Sequence, residues 1–117
     1  MDETVEFYVF KLSCKLARRY ADRVTIDFFG DQLVCHLDPE SIDQNPKLYP
    51  RHFGITFRDK IEFDNLLKLI EIRKIPVFHQ LFTRFAKTAE EHSSIVLIDP
   101  ANNLLEFKYY VDPRMMY

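Results

Sequence analysis

The chain has 117 residues, of which 47% are apolar, with a formal net charge of −2 and an isoelectric point of about 6.1. This length predicts one domain built from two small halves, and the apolar content excludes global disorder. The scattered Lys and Arg residues argue against nucleic acid as the main partner, and two glycines leave no phosphate-cradling glycine loop.

The sequence favours a cytoplasmic protein with no membrane partner. The start Met1-Asp2-Glu3 lacks the basic and apolar regions of a signal peptide, and no apolar run approaches the ~20 residues needed to span a bilayer. Cys14 and Cys35 are too few and too far apart for a disulfide framework or a Cys-type zinc site. Both thiols fit a reducing compartment, and Cys35 is expected to be buried.

The first half begins with a predicted helix over residues 2–12, because Val5, Tyr8, Val9 and Leu12 fall at helical spacing. Three strands follow, over residues 15–20, 24–29 and 32–37, with a tight turn at Gly30-Asp31. Residues 38–50 contain three prolines and are predicted to be a connection without helix or central strand.

The second half begins with a strand over residues 52–57 and the strongest helical pattern of the chain, over residues 62–73. Pro76 marks the end of this helix, and a strand is predicted from 77 to 85, followed by a polar loop over 86–93. The chain closes with a hairpin: a buried strand over 95–98, a turn at 99–103 and a strand over 104–110.

Side-chain alternation along the predicted strands places one potential metal ligand on each of three strands: His36, His52 and Glu106. Two imidazoles and a carboxylate suit non-haem Fe, Mn, Ni or Zn. The residues alone leave other interpretations open. A single His in a strand is more often structural, and Glu106 would also fit the solvated face of an antiparallel sheet. His79 and His92 are expected to be structural or surface residues.

The two halves share an order of elements, since each ends in a hairpin whose last strand bears a ligand candidate. The second half runs strand, helix, strand and hairpin, whereas the first lacks the leading strand. Such a repeat indicates two duplicated modules that face a shared groove. The predicted boundaries are 1–38 for module one, 39–50 for the linker and 51–117 for module two.

Three segments resemble the vicinal oxygen chelate superfamily, which includes glyoxalase I, extradiol dioxygenases, and fosfomycin and bleomycin resistance proteins. They are Val5-Glu6-Phe7-Tyr8, His52-Phe53-Gly54-Ile55 and the run from Asp99-Pro100 to Glu106-Phe107-Lys108. The last is similar to the family signature Asp-Pro-x-Gly-Asn-x-x-Glu, with Asn102 at the usual Gly position.

The resemblance implies an α+β fold of two βαβββ modules, with a curved mixed sheet around a cleft and helices outside. It implies that His52 and Glu106 are metal ligands from the first and last strands of module two. It also implies that His36 is a ligand from the last strand of module one. The sequence departs from the family pattern because no strand with a further ligand precedes the first helix, which leaves a sheet edge to be covered.

The resemblance implies a divalent-metal-dependent lyase, isomerase or ring-cleaving dioxygenase that acts on a small oxygen-chelating substrate. Arg84, Lys87 and Phe57 are the candidate substrate-binding residues, and the assembly is expected to be a homodimer. An alternative function is a non-catalytic module that binds a small molecule, as drug-sequestering relatives do. In that case the divalent metal would be absent.

Overall fold

The computed structural model describes all 117 residues, Met1–Tyr117, and its strands form two sheets. The first half contributes a three-stranded antiparallel sheet in the order β1-β2-β3. The strands are β1 (Lys15–Arg19), β2 (Arg23–Phe28) and β3 (Asp31–His36). Helix α1 (Asp2–Val5) precedes them and continues as a π-helical segment over Glu6–Lys11, which buries Phe7 and Tyr8.

The tight turn between β2 and β3 is centred on Phe29 and Gly30, one residue earlier than predicted. Their φ angles are 54° and 96°, and two successive positive φ values are typical of the type I′ turn that joins twisted antiparallel strands. Gly30 adopts this conformation without a steric cost, whereas Phe29 does not. The prediction of a hairpin was therefore correct, and only the assignment of its central residues was wrong.

The second half forms a four-stranded sheet in the order β4-β7-β6-β5. Its strands are β4 (Phe53–Phe57), β5 (Val77–Arg84), β6 (His92–Ile98) and β7 (Leu104–Tyr110). Strand β4 runs parallel to β7, and the other pairs are antiparallel. The parallel pairing requires a crossover, which helix α2 (Lys60–Arg73) supplies. Strand β6 begins at His92, earlier than predicted, because its pairing with β7 extends to Tyr110.

The predicted α+β class is confirmed. Module one consists of a helix, a strand and a hairpin, and module two has the full βαβββ order of elements. The strands do not join into one continuous sheet, and β3 pairs only with β2.

The connection between the modules contains a single 3₁₀ segment, Pro39–Ser41. A second such segment, Pro113–Met116, follows β7. No helix combines the length and apolar character needed to cross a membrane.

One apolar cluster of 17 buried residues joins the two sheets and the helices. Phe28 of β2 packs against Phe53 and Phe107, with ring centroids 5.8 and 6.0 Å apart. Phe57 stacks on Phe107 at 6.1 Å. Because Leu105 and Phe107 point into this core, alternation along β7 turns Glu106 and Lys108 to the opposite face of the sheet.

The turn between β6 and β7 explains why Asn replaces the usual Gly in the signature segment. Asn102 has a φ of 63°, a left-handed conformation that Asn tolerates better than most residues. Its side-chain amide also donates to the carbonyl of Asp43, at 2.9 Å. The substitution is therefore compatible with the same turn and adds a contact to the linker.

Candidate metal centre

His52 lies immediately before β4, and its side chain is 25% exposed. Its Nδ1 is 2.7 Å from the carbonyl oxygen of Leu48. Because a carbonyl oxygen can only accept, Nδ1 must bear the hydrogen of this bond. A neutral imidazole held in this way presents the Nε2 lone pair to a ligand, which is the arrangement that most metal-binding histidines use.

Glu106 is the third residue of β7, and its side chain is only 8% exposed. One carboxylate oxygen, Oε1, lies 3.6 Å from Nε2 of His52. The two residues meet because β4 runs beside β7, with Gly54 paired directly opposite Glu106. The backbones approach so closely there that a Cβ on Gly54 would lie 1.7 Å from the Glu106 carbonyl oxygen. Only glycine fits this position.

Lys108 is a third member of the site that the sequence interpretation did not assign. Its Nζ lies 3.2 Å from the same Glu106 Oε1, and its side chain is 31% exposed. The available signal was the two-residue spacing, which places Lys108 on the same face of β7 as Glu106. The site therefore consists of one buried carboxylate between an imidazole and an ammonium group.

The structure brings together two of the three predicted ligands and leaves His36 apart. No group of three or more His, Cys, Asp or Glu side chains is arranged to hold a metal ion. His36 is the last residue of β3 and is paired with Arg23, whereas Glu106 lies near the start of β7. Alternation predicted the face of β3 that His36 occupies, but it did not predict how far along the sheet the residue lies.

The three predicted substrate-binding residues do not gather around Glu106. Phe57 is 6% exposed and packs in the apolar core, although it also borders a surface cavity of about 860 Å³ beside β4. Arg84 ends β5, and its guanidinium lies 5.2 Å from the ring centre of Phe82. Lys87 lies in the exposed loop, where its backbone N–H donates to Glu91 at 2.7 Å.

Ser94 and the two cysteines are further candidates for polar or ligating groups at the site. Ser94 of β6 pairs directly with Lys108, and its hydroxyl is buried without a hydrogen-bond partner. Burial raises the pKa of Cys14 and of Cys35 to about 11, so both thiols are protonated at neutral pH, and neither lies on the sheet that carries Glu106. Cys35 is only partly buried, less than the sequence predicted.

The donor atoms fit part of a divalent metal site. A zinc ion lies ~2.0–2.2 Å from imidazole nitrogen and carboxylate oxygen, so the observed separation of 3.6 Å allows one ion to contact both atoms. Imidazole and carboxylate also suit Fe, Mn and Ni. The chain supplies two such donors here, whereas catalytic zinc sites generally use three protein ligands.

No protein-family model and no curated protein sequence matches the chain. A crystal structure of a glyoxalase/bleomycin resistance protein/dioxygenase from Alicyclobacillus acidocaldarius matches with 64% identity and a TM-score of 0.95. The match covers 100% of this chain and 88% of that chain. The protein belongs to the glyoxalase/bleomycin resistance protein/dioxygenase family. The predicted resemblance to the vicinal oxygen chelate superfamily is thereby confirmed.

Two solved structures with lower sequence identity share the fold. The fosfomycin resistance protein FosX from Listeria monocytogenes aligns with 14% identity and a TM-score of 0.72, over 99% of this chain and 88% of that chain. Lactoylglutathione lyase from Agrobacterium tumefaciens aligns with 19% identity and a TM-score of 0.65, over 92% and 84%. Proteins with different names thus use this arrangement of strands, and the site must distinguish their functions.

Proposed function

We propose that the protein is a divalent-metal-dependent enzyme in which His52 and Glu106 bind the ion, with a small oxygen-chelating molecule as substrate. The main supporting observation is the orientation of His52. The bond from Nδ1–H to Leu48 leaves Nε2 as an acceptor, and this nitrogen faces a second acceptor, Glu106 Oε1, at 3.6 Å. In a neutral His52 both atoms are acceptors, and one divalent ion could contact both at this separation.

The burial of Glu106 supports the same proposal. A carboxylate that is 8% exposed has lost most of its hydration and is stable only when it is paired or bound to a metal. The ion, when bound, would supply Lewis-acid activation of a substrate oxygen. The chain itself contributes the fixed imidazole and a glycine in β4 that lets the two strands meet at Glu106.

Lyase, isomerase and dioxygenase reactions are the candidate activities. The names of two structural neighbours suggest compounds to test: lactoylglutathione, from lactoylglutathione lyase, and fosfomycin, from the fosfomycin resistance protein FosX. A catechol tests the ring-cleaving alternative. Arg84 and Lys87 remain candidates for binding substrate anions, because both are exposed cations at the same end of the second sheet.

The experiment measures binding of Mn²⁺, Ni²⁺ and Zn²⁺ by titration calorimetry, followed by turnover of the three substrates with the bound metal. The wild-type protein should bind at least one ion, and His52→Ala and Glu106→Gln should lose this binding. His79→Ala is the matched control, because His79 is an exposed histidine whose ring contacts the Gln80 carbonyl. Equal binding heats in all four proteins would contradict the proposal.

A non-catalytic binding module is the second candidate, and the Lys108 contact favours it. The ammonium already provides Glu106 with a positive partner, so the site is electrostatically satisfied without a metal. In this case the protein would bind a drug such as bleomycin equally well with and without a chelator. Calorimetric titration of bleomycin in the presence of EDTA tests this alternative.

A further inference from the structure

Lys108 contacts the carboxylate oxygen that faces His52. The distance from Nζ to Glu106 Oε1 is 3.2 Å, and that from His52 Nε2 to the same oxygen is 3.6 Å. A metal ion bound by His52 and Glu106 would lie beside this oxygen. The ion would therefore lie close to the Lys108 ammonium, which already contacts the Glu106 carboxylate.

The surroundings of Lys108 provide no other charged partner. Across the sheet its neighbours are Thr56 on β4 and Ser94 on β6, both uncharged. The only ion pair of Lys108 is the one with Glu106. Lys108 therefore stabilises the buried carboxylate when no metal is bound, and it opposes a cation that binds to the same carboxylate.

We propose that Lys108 is a resident cation that competes with divalent metal ions for Glu106 and so sets the metal affinity of this site. Metal binding displaces Nζ from Oε1 and releases the ammonium toward solvent. This inference rests on the proposed metal function. It adds that the affinity is held low by a residue of the chain itself, in addition to the small number of ligands.

The first test compares metal affinities by calorimetry in wild type, Lys108→Met, Lys108→Gln and Lys108→Arg. Removing the ammonium should tighten binding about tenfold, because repulsion from a neighbouring cation is lost. Lys108→Arg should resemble wild type because it keeps the charge. Lys68→Met is the matched control, since Lys68 is an exposed residue of α2 and its loss changes the net charge equally.

The outcomes separate the inference from the proposed function. If wild type binds metal through His52 and the Lys108 variants bind no more tightly, the competition is wrong and the metal function stands. If wild type does not bind and Lys108→Met does, the inference is supported, because the ammonium alone blocks the site. If no protein in the series binds metal, both are wrong.

A second measurement uses the unaltered protein and does not depend on the folding of a variant. Acetylation of lysines by a limiting amount of reagent is followed by mass spectrometry, with and without saturating Zn²⁺. Bound Zn²⁺ should increase the modification of Lys108 severalfold and leave Lys68 unchanged. Unchanged or reduced modification of Lys108 under conditions where Zn²⁺ binds would overturn the inference.

Discussion

Tyr8 and Asp99 are 91 residues apart in sequence, and the Tyr8 hydroxyl donates a buried hydrogen bond of 2.7 Å to Asp99 Oδ2. This bond ties the first helical segment to the turn of the last hairpin. Asp99 also accepts from the backbone N–H groups of Ala101 and Asn103, at 2.9 and 2.8 Å, and from the Asn103 side chain. The carboxylate therefore organises the turn and connects the two modules.

Replacing Tyr8 by Phe should lower the free energy of unfolding by about 1–3 kcal/mol. The variant keeps the ring in the core but leaves the buried Asp99 carboxylate with one donor fewer. Urea denaturation measures the effect. Tyr49→Phe is the control, because Tyr49 is 63% exposed, and it should change stability by less than about 0.5 kcal/mol. Equal stabilities of the two variants would contradict this role.

The ionisation of Tyr8 should be suppressed in the folded protein. Burial, followed by the proximity of Asp99, raises the pKa of Tyr8 far above its usual value. The folded state thus favours the protonated phenol, so its contribution to stability is complete below about pH 10 and is lost as the pH rises further. In native protein, Tyr8→Phe should leave the tyrosinate absorbance near pH 11 unchanged.

The control for the tyrosine titration is the same measurement in concentrated urea. There wild type and Tyr8→Phe should differ by the signal of one tyrosine among the six in the chain. A difference of one tyrosine in the native titration as well would show that Tyr8 ionises normally when folded.

Gly54→Ala should lower the free energy of unfolding by about 1–3 kcal/mol or more. The added Cβ would lie 1.7 Å from the Glu106 carbonyl oxygen, which is backbone and cannot rotate away. Strand β4 would have to move from β7, and His52 would move with it. Thermal unfolding measures the loss, and metal binding should weaken in parallel. Thr56→Ala, on the same face of β4, should have a smaller effect.

Metal binding should weaken as the pH falls. Protons compete with the ion for the Nε2 lone pair of His52, since coordination requires the neutral imidazole. Lowering the pH from about 7.5 to about 5.5 should therefore reduce the affinity severalfold or more in calorimetric titrations. His52→Ala should remove this dependence along with most of the affinity. An affinity that is equal at both pH values would argue against His52 as a ligand.

The protein should form a homodimer that covers part of the open edge of β3. This strand pairs only with β2, whereas the corresponding strand β7 has neighbours on both sides. Unpaired edges invite pairing with a second chain. Light scattering should give twice the monomer mass of 14.0 kDa. Val34→Asp, on β3, should favour the monomer, whereas Ile72→Asp, on an exposed helix face, should not. A concentration-independent monomer would contradict this prediction.

Local pattern in the sequence was enough to determine most of the elements and the face of each strand. Period-two alternation placed Glu106 and Lys108 opposite Leu105 and Phe107, and helical spacing located α2 within two residues of its start. These features depend on backbone geometry over a few neighbouring residues. The signature segment from Asp99 to Glu106 correctly indicated the family, because it too spans only one turn and the start of the strand that follows.

Only the tertiary structure decided which of these residues meet. His52 reaches Glu106 because the α2 crossover places β4 parallel to β7, and His36 does not because it ends a strand of the other sheet. Phe57, a predicted substrate-binding residue, packs in the core and also borders a surface cavity, and the Lys108 ion pair was not foreseen. Alternation fixes the face on which a side chain lies. The distance between two side chains depends on strand order and register, which are set by packing between segments far apart in sequence.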